Sequence, residues 1–286
     1  MTIIRTPRGQ ARPMRGMIVF IAALVLLMIF MRIIGLVTDW FWFQEVGYQT
    51  VFTVTLLAKI KTGLLFGAGF FTFLIVNLLI AFRLSRVPLY GDPAANFGNP
   101  IREMEPAVLK VLIVAGSLLI GLFAAVNGTA QWENLLLFLN PTPFSVQDPL
   151  FMRDIGFYVF QFPFLMHLNG WLKFVLIVTV AATGFLYLVR RSFLFIPPRI
   201  WKIAPAARIH LSILVAFFLI WGVFGTWLDL NELLFTKRGV VFGPGYTDVT
   251  TQLWVLKLMM GLYGLAALAV LFFAVRPEWR IPAAAI

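Results

Sequence analysis

Six apolar runs, each about 20 residues long and none containing Asp or Glu, constrain this chain more than any other feature. At about 1.5 Å per residue, each reaches the ~30 Å of a bilayer's hydrocarbon core. They fall at about 17–37, 62–82, 107–126, 171–189, 209–228 and 253–275. Hydrophobic residues make up 61% of the chain, against roughly 45–50% in soluble domains. The expected fold class is an all-α integral membrane protein: six transmembrane helices in three hairpins, with interfacial amphipathic helices on the outer side, and residues 1–286 forming a single transmembrane domain.

A net charge of +11 would suit nucleic acid, but the charges sit between the apolar runs rather than on a soluble face, so membrane topology explains them and no nucleic-acid partner is expected. Most of the 23 Lys and Arg residues lie before the first run, after the last, or in the segments near 83–110 and 190–208. Because basic residues are retained on the cytoplasmic side, both ends are placed inside and the segments 39–61, 127–173 and 229–252 outside. The apolar run after Arg5, Arg8, Arg12 and Arg15 is too long for a signal peptide and reads as an uncleaved first span. The resulting localisation is a multi-pass bacterial plasma membrane protein with a cytoplasmic N-terminus.

Between spans three and four, residues 131–173 are too apolar for a loop and too broken by Pro, Asp and Arg to cross a bilayer. They read as chain lying on the outer leaflet: Trp132–Leu139 as an amphipathic helix, 140–143 as a break, and Asp148-Pro149 as the cap of a second interfacial helix ending before Pro163. The other outer segments echo it. Trp40 and Trp42 follow span one and Trp227 closes span five, while Gly47-Tyr48 and Gly245-Tyr246 are each followed by Val and Lys at matching offsets. Small residues at four-residue spacing, Gly63 with Gly67 and Ser117 with Gly121, mark faces where helices can approach closely. Asp92-Pro93 and Asn99-Pro100 read as caps of short cytoplasmic turns.

Nothing in the sequence forms a catalytic set. Zero cysteines exclude disulfides and thiolate chemistry. His167 and His210 are far apart and read as separate interfacial residues, and neither a phosphate-binding loop nor a nucleophile or zinc motif occurs. Asn77 reads as an interhelical hydrogen-bonding residue. No enzyme activity, cofactor or metal is expected. The interfacial and structural residues to examine are Trp40, Trp42, Tyr48, Trp132, Asp148, Asp154, Phe157, Tyr158, Trp227, Tyr246 and Asp248.

Trp42-Phe43 with Val46-Gly47-Tyr48, Asp148-Pro149-Leu150-Phe151 with Asp154-Ile155-Gly156-Phe157-Tyr158-Val159-Phe160, and Gly245-Tyr246-Thr247-Asp248-Val249 closely resemble the bacterial membrane proteins grouped as Uncharacterised Protein Family 0182. The resemblance covers essentially the whole chain. It implies a multi-span N-terminal membrane region followed by a large extracytoplasmic domain; this chain stops at Ile286, before that domain, and its end reads as the connection to it. The expected role is to anchor or position an extracytoplasmic domain or partner in the cell envelope, with a transporter, channel or lipid-handling protein as the alternative. The lipid bilayer is the expected partner, together with a second copy of the chain or another envelope protein.

Overall fold

The computed structural model describes residues 12–85, 105–190, 192–196, 200–237 and 243–275. Seven α-helices run through them: α1 (Arg12–Glu45), α2 (Gln49–Leu84), α3 (Pro106–Gly128), α4 (Trp132–Leu139), α5 (Phe162–Val189), α6 (Pro205–Glu232) and α7 (Leu253–Val275). Six stretches are long and apolar enough to cross a membrane by length and composition, α3 and α4 counting as one through the 3-10 turn Thr129–Gln131. The helices outlast the spans drawn from hydropathy: α2 is 36 residues long and carries Lys59 and Lys61 within it. Long side chains let a helix continue past the apolar boundary while their charged ends reach water.

Two compact units divide the chain, Met1–Leu57 and Ala58–Ile286. In the first, Gly47 at φ +77° turns the chain from α1 into α2, a conformation a side chain disfavours. Phe52 there packs against Trp40 at 5.5 Å and Phe43 at 5.6 Å between ring centroids.

In the second unit α2 lays Phe66, Phe70, Leu74 and Leu78 along one buried stripe, the four-residue spacing of a helix face. The stripe meets Leu109 and Ile113 of α3, Val175 and Tyr187 of α5 and Ala207 of α6. A close approach occurs between α2 and α3, where a Cβ on Gly67 would lie 2.5 Å from Ala125 Cβ and 2.8 Å from the Gly121 carbonyl. The small-residue spacings therefore mark a backbone-to-backbone contact.

Two features depart from the expected architecture. The basic segment after α5 holds a short antiparallel pair, β1 (Phe193–Ile196) and β2 (Ile200–Ile203), in register Phe193 to Ile203. Phe-Leu-Phe-Ile and Ile-Trp-Lys-Ile are rich in the branched and aromatic residues that favour extended backbone, so the fold is not purely α. The second interfacial helix, expected to be capped by Asp148-Pro149 and to end before Pro163, instead starts only at Ile155, after a turn that Asp148 organises, and runs on into α5 through a π-helical turn at Phe157–Gln161. Proline near a helix start forfeits a hydrogen bond that is unmade there anyway, and the wider turn before it leaves room for the ring. Asp248–Gln252 forms the same kind of turn before α7. Asp92, Asn99 and the segment after Val275 lie outside the described residues.

Candidate functional site at the aromatic end of the bundle

In the second unit, part of the outer-segment residues meet where α5 and α7 begin and α6 stops. Asp148 and Asp154 organise the loop before α5. Asp148, 6% exposed, accepts the backbone N–H groups of Leu150 (2.9 Å), Phe151 (2.6 Å) and Arg153 (2.8 Å) and the hydroxyl of Tyr158 (3.0 Å). Asp154 accepts the N–H groups of Phe144 (3.0 Å), Ser145 (2.8 Å) and Gly156 (2.7 Å). Ser145 (φ 58°) and Met152 (φ 55°) sit in the left-handed region, a strain these two carboxylates hold in place. A Cβ on Gly156 would stand 2.5 Å from the Thr142 carbonyl.

Burial pushes the Asp148 carboxyl up, but the N–H groups of Phe151, Arg153 and Leu150 and the Tyr158 hydroxyl outweigh it and hold it below its ordinary value of 3.8. Asp154 is also lowered, chiefly by the Phe144 N–H, against burial and with Gly156 and Ser145 adding to the effect. Both groups favour the charged form in the folded state. Their stabilisation is therefore complete above pH ~4 and fades as pH falls through the lowered folded values. Melting temperature measured against pH is expected to fall below pH ~4, and less steeply in a D148N/D154N variant; identical slopes would remove the carboxylates from the acid response.

Tyr158 carries the loop onto α6. Its hydroxyl lies 3.4 Å from Asn231 Oδ1, and Asn231 donates to the Trp227 carbonyl at 2.7 Å. The Arg153 guanidinium sits 4.9 Å from the Phe157 ring centroid and 4.8 Å from that of Trp227. In this sandwich two aromatic faces and the arginine stem bury together at modest cost. The structure thus gathers Asp148, Asp154, Phe157, Tyr158 and Trp227, and adds Arg153 and Asn231. The four-residue step from Trp227 to Asn231 was the available signal for the latter.

The remaining sequence-named residues have other surroundings. Trp40, Trp42 and Tyr48 are exposed residues of the first unit. Trp132 opens α4 under the Lys59 ammonium, 5.7 Å from its ring centroid. Tyr246 is 84% exposed, whereas Asp248 is buried and accepts the Gly245 N–H at 2.9 Å.

Two further polar groupings lie deeper in the bundle. At the opposite end, Asn77 donates to the Phe73 carbonyl (2.7 Å) and turns its Oδ1 to His210 Nε2 (3.0 Å), while His210 Nδ1 lies 2.9 Å from the Tyr187 hydroxyl. Nε2 must then carry the hydrogen and Nδ1 accept from Tyr187. So His210 is a buried link between α2, α5 and α6 rather than an interfacial residue, and Asn77 is the interhelical residue expected. In the α5–α6 seam, Lys173 Nζ and Asn169 Oδ1 lie 2.7 and 3.1 Å from where a Gly225 Cβ would be. Beyond it, a cavity of about 570 Å³ is lined by Asp229, Glu232, Thr236 and Lys237. Among the described residues no group of three His, Cys, Asp or Glu could hold a metal ion.

Six span-length apolar helices define the class, a helical protein of membrane-protein composition. The chain belongs to the family described as Uncharacterised protein family (UPF0182), which matches residues 16–286. A UPF0182 protein of Geobacter sulfurreducens is 34% identical over 274 residues, 93% of this chain and 30% of the relative. Those of Cupriavidus necator and Rhodococcus erythropolis are 33% and 30% identical over 99% of this chain, covering 31% and 30% of their own lengths. The chain therefore spans about a third of these relatives. No solved structure matches it.

Proposed function

We propose that this chain is the multi-pass part of a bacterial plasma membrane protein, with its N-terminus in the cytoplasm, and that it anchors and positions an extracytoplasmic domain or partner. The observation that carries this reading is the knot of Asp148, Arg153, Tyr158 and Asn231. Within residues 144–161 Asp148 ties Arg153 and Tyr158 together, and the segment meets α6 where Arg153 packs on the Trp227 ring and the Tyr158 hydroxyl lies 3.4 Å from Asn231 Oδ1, so the bundle presents an ordered surface there. The bias of Lys and Arg toward the segments on the other side supports reading this surface as the outer one. The greater length of the relatives leaves room for the positioned domain. In this reading the bundle performs no catalytic step.

A reporter fused after Gln147 is expected to be active in its extracytoplasmic form and silent in its cytoplasmic form. The reverse pattern would overturn the orientation and, with it, the anchoring role. A second reading, lipid handling, draws support from the charged cavity at the same end.

A further inference from the structure

The seam between α5 and α6 carries an apolar groove, a cation and an unpartnered acceptor at successive depths. We propose that it binds one phospholipid, an anionic phosphodiester whose headgroup bears a hydroxyl. Its phosphate meets Lys173, that hydroxyl meets Asn169, and an acyl chain fills the groove. The site deepens the lipid-handling reading and rests on the chain spanning a bilayer, whichever way it is oriented.

The groove, of about 330 Å³, is lined by Ile177, Val180 and Ala181 of α5 and by Val215 and Phe218 of α6. All five are apolar. Ile177 is 54% exposed, so the groove opens toward the side of the bundle, where acyl chains lie in a membrane.

Helix register sets the cation above it. Lys173, Ile177 and Val180 follow the i, i+4, i+7 spacing of one helix face. Lys173 stands against Gly225 of α6, where a Cβ would lie 2.7 Å from its Nζ. Seven residues along each antiparallel helix, the same register sets Val180 against Phe218. That step is about 10 Å of helix, room for the glycerol backbone between a phosphate at Lys173 and a chain in the groove. From Lys173 to Arg190, which caps α5, the helix rises about 26 Å, so the ammonium falls near the edge of a ~30 Å hydrocarbon core, at phosphate depth.

Two observations apart from the groove point to a ligand. Lys173 makes no hydrogen bond or ion pair among the described residues; Asp229, the acid whose charge reaches it, stands one turn beyond Gly225 on α6. Asn169, one turn before Lys173, is 6% exposed, and its Oδ1 has no hydrogen-bond partner. A buried acceptor left without a donor is destabilising and calls for one. This Oδ1 shares the Gly225 notch with the ammonium, 3.1 Å from the same point. A second ammonium would be repelled so close to the first, whereas a neutral hydroxyl donates without that repulsion. As Lys173 lifts onto the phosphate, the notch opens to the hydroxyl. Phosphatidylglycerol has this chemistry: a single negative charge, glycerol hydroxyls and acyl chains.

The test uses the whole 286-residue chain in vesicles of phosphatidylcholine alone or with an equal part of phosphatidylglycerol or phosphatidylmethanol, which has the charge without the hydroxyl. Flotation reports insertion and intrinsic fluorescence reports melting. Phosphatidylglycerol is expected to raise the melting temperature by about 3 °C, and phosphatidylmethanol by less than half as much. The rise should vanish in K173Q and in A181F, which fills the groove from an exposed position, and persist in K61Q, which removes an exposed lysine of α2. Millimolar glycerol phosphate in phosphatidylcholine vesicles should have no effect; a full rise would mean a soluble ligand and overturn the acyl-chain groove.

Equal melting in all vesicles, or a rise that survives K173Q or A181F or disappears in K61Q, overturns the site alone. A full rise with phosphatidylmethanol overturns the assignment of Asn169. A chain that does not float with vesicles overturns the membrane placement and the site together.

Discussion

Substituting valine for Gly67 is expected to be among the most damaging single changes in the bundle, costing about 3 kcal/mol. Even a single Cβ at this position would stand 2.5 Å from Ala125 Cβ, 2.8 Å from the Gly121 oxygen and 3.0 Å from Ala125 Cα. Two of these are backbone atoms, so no side-chain rotation relieves the clash, and α2 must move off α3 as a body. That separation opens the stripe of Phe66, Phe70 and Leu74, whose contacts depend on the same spacing. Gly116 provides the matched control, since it sits on α3 with nothing within 4 Å of its missing Cβ. Gly116→Ala is expected to be neutral or to gain about 0.5–1 kcal/mol from the better helix former. Thermal unfolding of the two variants in detergent checks the pair, and similar melting temperatures would show that α2 and α3 do not touch through their small residues.

Asp148→Ala is expected to cost about 3–5 kcal/mol, because three backbone N–H groups and the Tyr158 hydroxyl lose their acceptor together and each buried orphan costs ~1–3 kcal/mol. Tyr158→Phe removes one of those four bonds and leaves the three N–H groups satisfied. Its cost should be about 1–2 kcal/mol. The order of the two effects matters more than either value. Limited proteolysis of the segment 144–153 alongside melting curves separates loss of the loop from loss of the bundle, and a D148A protein as resistant as wild type would show that the carboxylate does not organise the loop.

How much of this was legible in the sequence follows from the range of each interaction. Hydropathy located all six long helices because apolar composition is a property of consecutive residues. The boundaries of α4 were readable for the same reason, since Trp132–Leu139 is a short apolar run between Gln131 and the Asn140-Pro141 break. The continuation of α5 through Pro163 was not, because a π-helical turn is a choice of hydrogen-bond partner with no compositional mark. Asp148 and Asp154 were visible as acids near a turn. Their partners are backbone N–H groups, which every residue carries, so nothing in the sequence showed that they would be internal acceptors. His210, Asn77 and Tyr187 come from three helices separated by up to 133 positions, and a single chain's pattern carries no information at that distance.

The two π-helical turns, Phe157–Gln161 and Asp248–Gln252, act as phase shifters. An α-helix advances about 100° per residue, so the extra residue each turn accommodates rotates everything before it by about that angle relative to everything after. The apolar stripe of α5 is set by packing against α2 and α6, and the direction of Tyr158 is set by this offset. Deleting one residue from the turn would leave α5 seated and swing Tyr158 and Arg153 to another side of the helix, away from Asn231 and Trp227. The faces of α5 and of the segment preceding it are thereby free to be tuned separately, and a single-residue insertion or deletion, ordinarily ruinous inside a helix, becomes here the natural means of turning the bundle's exposed surface.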